Sequence, residues 1–79
     1  MRKVESLLRL AFDSSAPHIS NLDTVRMLIL ETAAQAASID DAIASLENRL
    51  PDTEVTLRTD IRILINAIRH ALREGKTPR

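Results

Sequence analysis

Apolar and small side chains recur at three- and four-residue intervals from Leu22 to Leu50: Leu22, Val25, Ile29, Thr32, Ala36, Ile39, Ile43, Leu46 and Leu50. This spacing keeps one side of an α-helix in register and predicts a helix over 21–50 that packs along its length. A start signal precedes it. Ser20 or Asn21 can cap, Asp23 suits the dipole of the first turn, and Ile19 stands where a hydrophobic staple belongs. Pro51 stops the helix. One joint lies inside it. Ser38-Ile39-Asp40-Asp41 reads as a second cap, and the alternative is two helices of about 16 and 12 residues. The apolar register crosses this joint without a slip.

Two further helices are predicted. Residues 2–12 place Val4, Leu7, Leu8 and Ala11 on one face, and Phe12, the one aromatic residue of the chain, ends that helix. A helix so short needs a surface to rest on. Residues 13–20 carry two adjacent serines, an aspartate and Pro17, and read as a loop. After the turn at Pro51, Asp52 or Thr53 can cap a last helix over 54–74. Gly75 reads as its left-handed cap, with Lys76 past the end and Thr77-Pro78-Arg79 as a frayed tail. The expected fold is all-α: one domain of three helices, the two long ones antiparallel. At 1.5 Å per residue the middle helix would span about 43 Å, enough for the first and last helices to cover it one near each end.

The two long helices differ on a wheel. In the last one, Leu57, Ile61, Leu64, Ile65, Ile68, Ala71 and Leu72 occupy an arc of about 120°. Asp60, His70 and Glu74 lie on its polar half, with Ile63 as an apolar exception. The first half of the middle helix is apolar on two sides. Beside Leu22, Val25, Leu28 and Ile29 it carries Met27, Leu30, Ala33, Ala34 and Ala37, while Thr24, Glu31 and Gln35 form its polar strip. Two apolar sides ask for two neighbours, the second being the first helix or another subunit, because a bare patch of that size is unusual on a monomer. The alanines at 33, 34, 36 and 37 supply helix propensity, or else permit a close helix crossing near residue 35.

At 79 residues the chain buries a limited core, and it has no cysteine for a disulfide or a thiolate metal site. Oligomerisation is the remaining common stabiliser, so a homodimer is expected. Lack of cysteine fits a reducing, cytoplasmic setting. The N-terminus lacks the long apolar core of a signal peptide, and no stretch approaches the roughly 18 apolar residues that span a membrane. The formal net charge is zero. It divides into about +2 over residues 1–12, about −4 over 13–50 and about +2 over 51–79, which suits complementarity between helices.

Candidate chemistry is sparse. Arg58, Arg62, Arg69 and Arg73 fall within about 60° on the last helix. They are a solvated flank paired with acids of the middle helix, a docking strip for an acidic partner, or a contact to phosphate backbones. Tyrosine and tryptophan are absent, which gives base stacking little support and makes nucleic acid the less favoured partner. Asp40 and Asp41 are adjacent and diverge, so they do not converge on a substrate. Asp40 is a cap partner at a break, or half-buried beside an arginine. His18, His70 and Glu47 lack the Glu-x-x-His spacing of a bundle metal site. The one glycine is at a helix end, so no phosphate-cradling loop exists. No catalytic, cofactor-binding or metal-binding residues are expected.

The order and lengths of the helices resemble those of small bacterial three-helix regulators of signalling or biofilm formation. The sequence as a whole favours a non-catalytic regulator or adaptor, a homodimer that binds a larger protein through helix-to-helix contact. The interaction candidates are Met27, Leu30, Ala33, Ala34 and Ala37, with the arginine strip. The alternatives are a nucleic-acid-associated regulator and an antitoxin or chaperone-like partner of a larger protein.

Overall fold

Ser38 ends the long helix that the apolar register predicts. In the computed structural model, which describes the backbone of residues 3–73 and the side chains of 4–73, Ala36 is extended (φ −79°, ψ 133°) and Ser38 takes a capping conformation (φ −153°, ψ 171°). The Ser38 hydroxyl accepts from the Asp41 N–H at 3.1 Å, and the Asp41 carboxylate accepts from the Ala37 N–H at 3.3 Å. This is a reciprocal cap of the kind that starts helices. The described residues therefore form four α-helices, in place of the three expected: α1 (Lys3–Ser15), α2 (Leu22–Gln35), α3 (Ile39–Arg49) and α4 (Val55–Arg73). The three-helix layout, and the resemblance that rested on it, do not hold. A continuous 21–50 helix of about 43 Å would also overrun the longest dimension of the molecule, 34 Å. The Gly75 cap and the tail from Lys76 lie outside the described residues, as do Glu74 and Arg2.

The segment expected to be a loop at 13–20 is largely helical. The Ser14 hydroxyl donates to the Ala11 carbonyl at 3.1 Å, and that of Ser15 donates to the same carbonyl at 2.7 Å. Serines that bond back to the preceding turn satisfy themselves within a helix instead of opening it. Phe12 thus sits inside α1. Pro17 lies at the start of a 3₁₀ turn, Ala16–His18, where a proline lacks no needed donor. Pro51 opens a second such turn, Leu50–Asp52, between α3 and α4.

One apolar core joins all four helices. Leu7 and Leu8 from α1, Val25 from α2, Leu46 from α3, and Ile61, Leu64 and Ile68 from α4 are fully buried. Each contributes about 1.5–3 kcal/mol through its removal from water. The central element is α4. It packs most broadly on α1, then on α3, with a smaller contact to α2. This reverses the expected topology, in which the 21–50 segment was central. It also widens the buried side of α4. Ile63 and Ala67 are half-buried against the core, and Asp60 is 1% exposed.

Candidate functional site

Because α4 takes the centre, α2 is covered on one side alone. Val25, Leu28, Ile29 and Thr32 face the core. On the opposite side Met27 is 65% exposed and Leu30 51%. Ala34 is exposed as well. Residues 27, 30 and 34 follow a three-then-four spacing and make one straight ridge on the helix. Ala33 does not belong to it, being half-buried against the core. Nor does Ala37, which lies in the link between α2 and α3. The expected crossing near residue 35 is absent from the fold, since α2 ends there.

A groove runs along each side of the ridge. One, about 190 Å³, lies between α1 and α2, with Phe12, Ile29 and Leu30 as its apolar surface and Arg9, Asp13 and Arg26 at its edge. The other, about 270 Å³, lies between α2 and the α3–α4 turn and is bounded by Met27, Glu31, Arg49, Thr53 and Leu57. The charges are ordered. On the first side Arg26 pairs with Asp23 at 3.3 Å and stands 5.7 Å from the centre of the Phe12 ring. On the second side Glu31 pairs with Arg49 at 3.4 Å. Exposed pairs of this kind contribute little to stability and exchange partners readily.

The four arginines of the strip all lie on α4 and make different contacts. Arg58 donates from Nε to the Leu50 carbonyl at 3.2 Å and from Nη2 to the Thr53 carbonyl at 3.0 Å, clamping the α3–α4 turn. Arg69 pairs with Glu47 of α3 at 2.8 Å. Arg62 and Arg73 are exposed. Half of the strip is therefore held by contacts within the chain, Arg58 at the α3–α4 turn and Arg69, itself exposed, with an acid of the expected middle segment. Asp41, not Asp40, is the cap partner at the break; Asp40 is exposed.

His18 and His70, far apart in sequence, line a common groove between α1 and α4 with Leu10, Ile63 and Asn66. Among the described residues no group of three or more His, Asp or Glu side chains is placed to hold a metal ion. No helix among them is long and apolar enough to cross a membrane.

Asp60 is the residue that the sequence reading misplaced. Its Oδ1 accepts from the Ser20 N–H at 3.0 Å, and its Oδ2 accepts from the Asn21 backbone N–H and Nδ2–H, each at 2.9 Å. Burial pushes this carboxyl up. The two backbone donors and the Asn21 side chain outweigh burial and hold it below the ordinary aspartate value. Asp60 thus holds the two residues just ahead of α2, and the N-cap residue Asn21 supplies no side-chain cap of its own. A signal existed: on the wheel Ala67 and Ile63 lie just beyond Asp60 from the apolar arc, and counting them widens the arc to enclose it.

Comparison with protein-family models, curated proteins and solved structures finds no significant match to this chain.

Proposed function

We propose that this chain is a non-catalytic protein-interaction module, a small cytoplasmic regulator or adaptor that docks its partner through the outward ridge of α2. The observation that carries this reading is the exposure of Met27 and Leu30 on one helix face, in line with Ala34, after the core has been filled from the other side. A ridge of apolar anchors three and four residues apart is the form in which a helix is received by a groove or a facing helix. Methionine adapts its shape to varied partners and suits such a position. The grooves beside the ridge admit the flanking side chains of whatever docks. The absence of cysteine suits a reducing compartment. A larger protein regulated by this chain, including one for which it acts as an antitoxin or chaperone, falls within this reading.

A benzophenone amino acid placed at position 27, with position 59 as a control, tests it in cells expressing the chain. Thr59 is exposed on α4, away from the ridge. Discrete adducts from position 27 alone are expected. Equal, diffuse labelling from both positions would overturn the reading.

A further inference from the structure

The ridge of α2 has the charge order of a parallel helix pair, and we infer that its occupant is a second copy of this chain, docked α2 against α2 with the two helices running in the same direction. The inference rests on the docking role given to the ridge above and names its partner.

In two-stranded parallel packing, positions a and d form the seam and the flanking positions g and e carry the charges. A g residue faces the e residue five positions further along the other helix. With Met27 at a, Leu30 falls at d and Ala34 at the next a. The flanking positions then fall on Arg26 at g and Glu31 at e. These two are five residues apart and opposite in sign. A two-fold axis along α2 sets Arg26 of each copy against Glu31 of the other, giving two equivalent pairs. Asp23 falls at d in this register, in the first turn of the helix, and pairs with Arg26 of its own copy at 3.3 Å, while Glu31 pairs with Arg49 at 3.4 Å. The apolar seam is therefore Met27, Leu30 and Ala34, and the charges that face across it are Arg26 and Glu31.

An antiparallel pairing centred between Met27 and Leu30 lacks this match. It sets each flank of α2 against the same flank of the second copy. Arg26 then faces the neighbourhood of Ala33, and Glu31 that of Thr24, so neither charge meets an opposite one. The small Ala34 at the end of the seam allows the helices to approach closely there. The side chains of positions b, c and f, Leu28, Ile29, Val25 and Thr32, are buried in the chain's own core, so the seam is the free side of the helix.

The helix has 14 residues, and the ridge alone is short of the roughly 1,200 Å² that a stable interface buries. The dimer is therefore a reversible one, populated as concentration rises.

Sedimentation equilibrium of the purified full chain over a range of concentrations tests this. The wild-type mass should rise toward twice that of the chain. Arg26→Glu alone and Glu31→Arg alone should each weaken association by about tenfold or more, because like charges then face one another. The double variant should return to within about threefold of wild type. An equal mixture of the two single variants should associate although neither does by itself, since both contacts are then opposite in sign. Arg26 and Glu31 are exposed, as are Met27 and Leu30, and circular dichroism checks that each variant keeps its helices. Direction is read separately. The chain has no cysteine, so Leu30→Cys introduces a single thiol, which should form a self-disulfide on oxidation. In a mixture with Met27→Cys, each variant should cross-link to itself in preference to the other. A wild-type chain that stays monomeric throughout, single variants that associate like wild type, or preferential 27-to-30 cross-links would each overturn the parallel pair. A monomer whose position-27 probe still traps a larger protein sinks this inference alone; diffuse labelling at that probe sinks the interaction reading as well.

Discussion

Asp60 of α4 and Asn21 at the head of α2 are joined twice: one carboxylate oxygen, Oδ2, accepts the Asn21 backbone N–H and its side-chain Nδ2–H, both at 2.9 Å. The other oxygen takes the Ser20 N–H. A carboxylate from the central helix thereby binds the two backbone N–H groups just ahead of another helix, 40 and 39 residues away. Among the described residues no buried side-chain polar atom lacks a partner.

Replacement of Asp60 is expected to be among the most damaging polar changes. Asp60→Asn keeps the shape, loses one acceptor and turns an amine toward N–H donors. The loss should be roughly 2–4 kcal/mol, the range for hydrogen bonds to a charged group plus donors left unpaired. For a chain of this size that lowers Tm by about 8–30 °C, at about 4–8 °C per kcal/mol. Asn21→Ala removes the side-chain contact alone and should cost about 1 kcal/mol. Urea melts of the two variants compare them directly. Equal losses would show that the backbone contacts carry nothing.

Acid should act through the same carboxylate. Its folded pKa is depressed, so its contribution is fully present above the pKa of the unfolded chain. That contribution is lost as pH falls from the ordinary aspartate range through the lower folded value. Stability measured from neutral pH into that window should fall for wild type more steeply than for Asp60→Asn, which has no proton to take up there. Parallel curves for the two proteins would exclude Asp60 as the source.

At the α2–α3 joint, Ser38→Ala removes the acceptor for the Asp41 N–H and should destabilise by about 1 kcal/mol. Alanine has the higher helix propensity, so a joint that merely interrupts a longer helix would respond in the opposite direction. Urea melts combined with far-ultraviolet circular dichroism separate the two cases. A gain in both stability and helicity would mean that the break is marginal.

The helices themselves were legible in the sequence, because three-four spacing follows directly from burial of one face. The joint was legible too, as a cap signature at Ser38, but the unbroken apolar register pointed the other way. Both signals are satisfied at once: the chain turns at Ala36, and Ile39, Ile43 and Leu46 still face the same core. What periodicity could not rank was which helix is central. That depends on how four faces share one core, a long-range property, and it decided the exposure of Met27 and Leu30. Asp60 was misplaced because a charged residue is ordinarily put outside, and its partners, Ser20 and Asn21, are remote in sequence. Ser14 and Ser15 were misplaced because a cluster of serine, aspartate and proline reads as loop, while their bonds to the Ala11 carbonyl serve a helix equally well.

Arg58 should behave as a structural residue and not as a surface cation. Its guanidinium reaches two carbonyls, those of Leu50 and Thr53, and a lysine cannot span both. Arg58→Lys retains the charge and should still cost about 1–2 kcal/mol. Arg62→Lys, at an exposed position, should stay within about 0.5 kcal/mol. Thermal melts of the pair decide whether the strip is one surface or, as the contacts indicate, two different uses of arginine.

The α2 ridge and the core should respond to substitution in opposite ways. Leu64 is fully buried, so Leu64→Ala removes apolar contact and leaves a cavity, at a loss of about 2–5 kcal/mol at any concentration. Met27→Ser and Leu30→Ser alter side chains that are mostly in water, so in dilute solution each should change stability by less than about 0.5 kcal/mol. Concentration then separates ridge from bystander. If the ridge binds a second copy in the folded state alone, mass action raises the wild-type Tm as concentration increases. The two serine variants should lose that rise while matching wild type at the dilute end. Scanning calorimetry over a hundredfold concentration range reads both quantities. A wild-type Tm independent of concentration would mean that the ridge does not self-associate, and an equal rise in the variants would place the association elsewhere on the molecule.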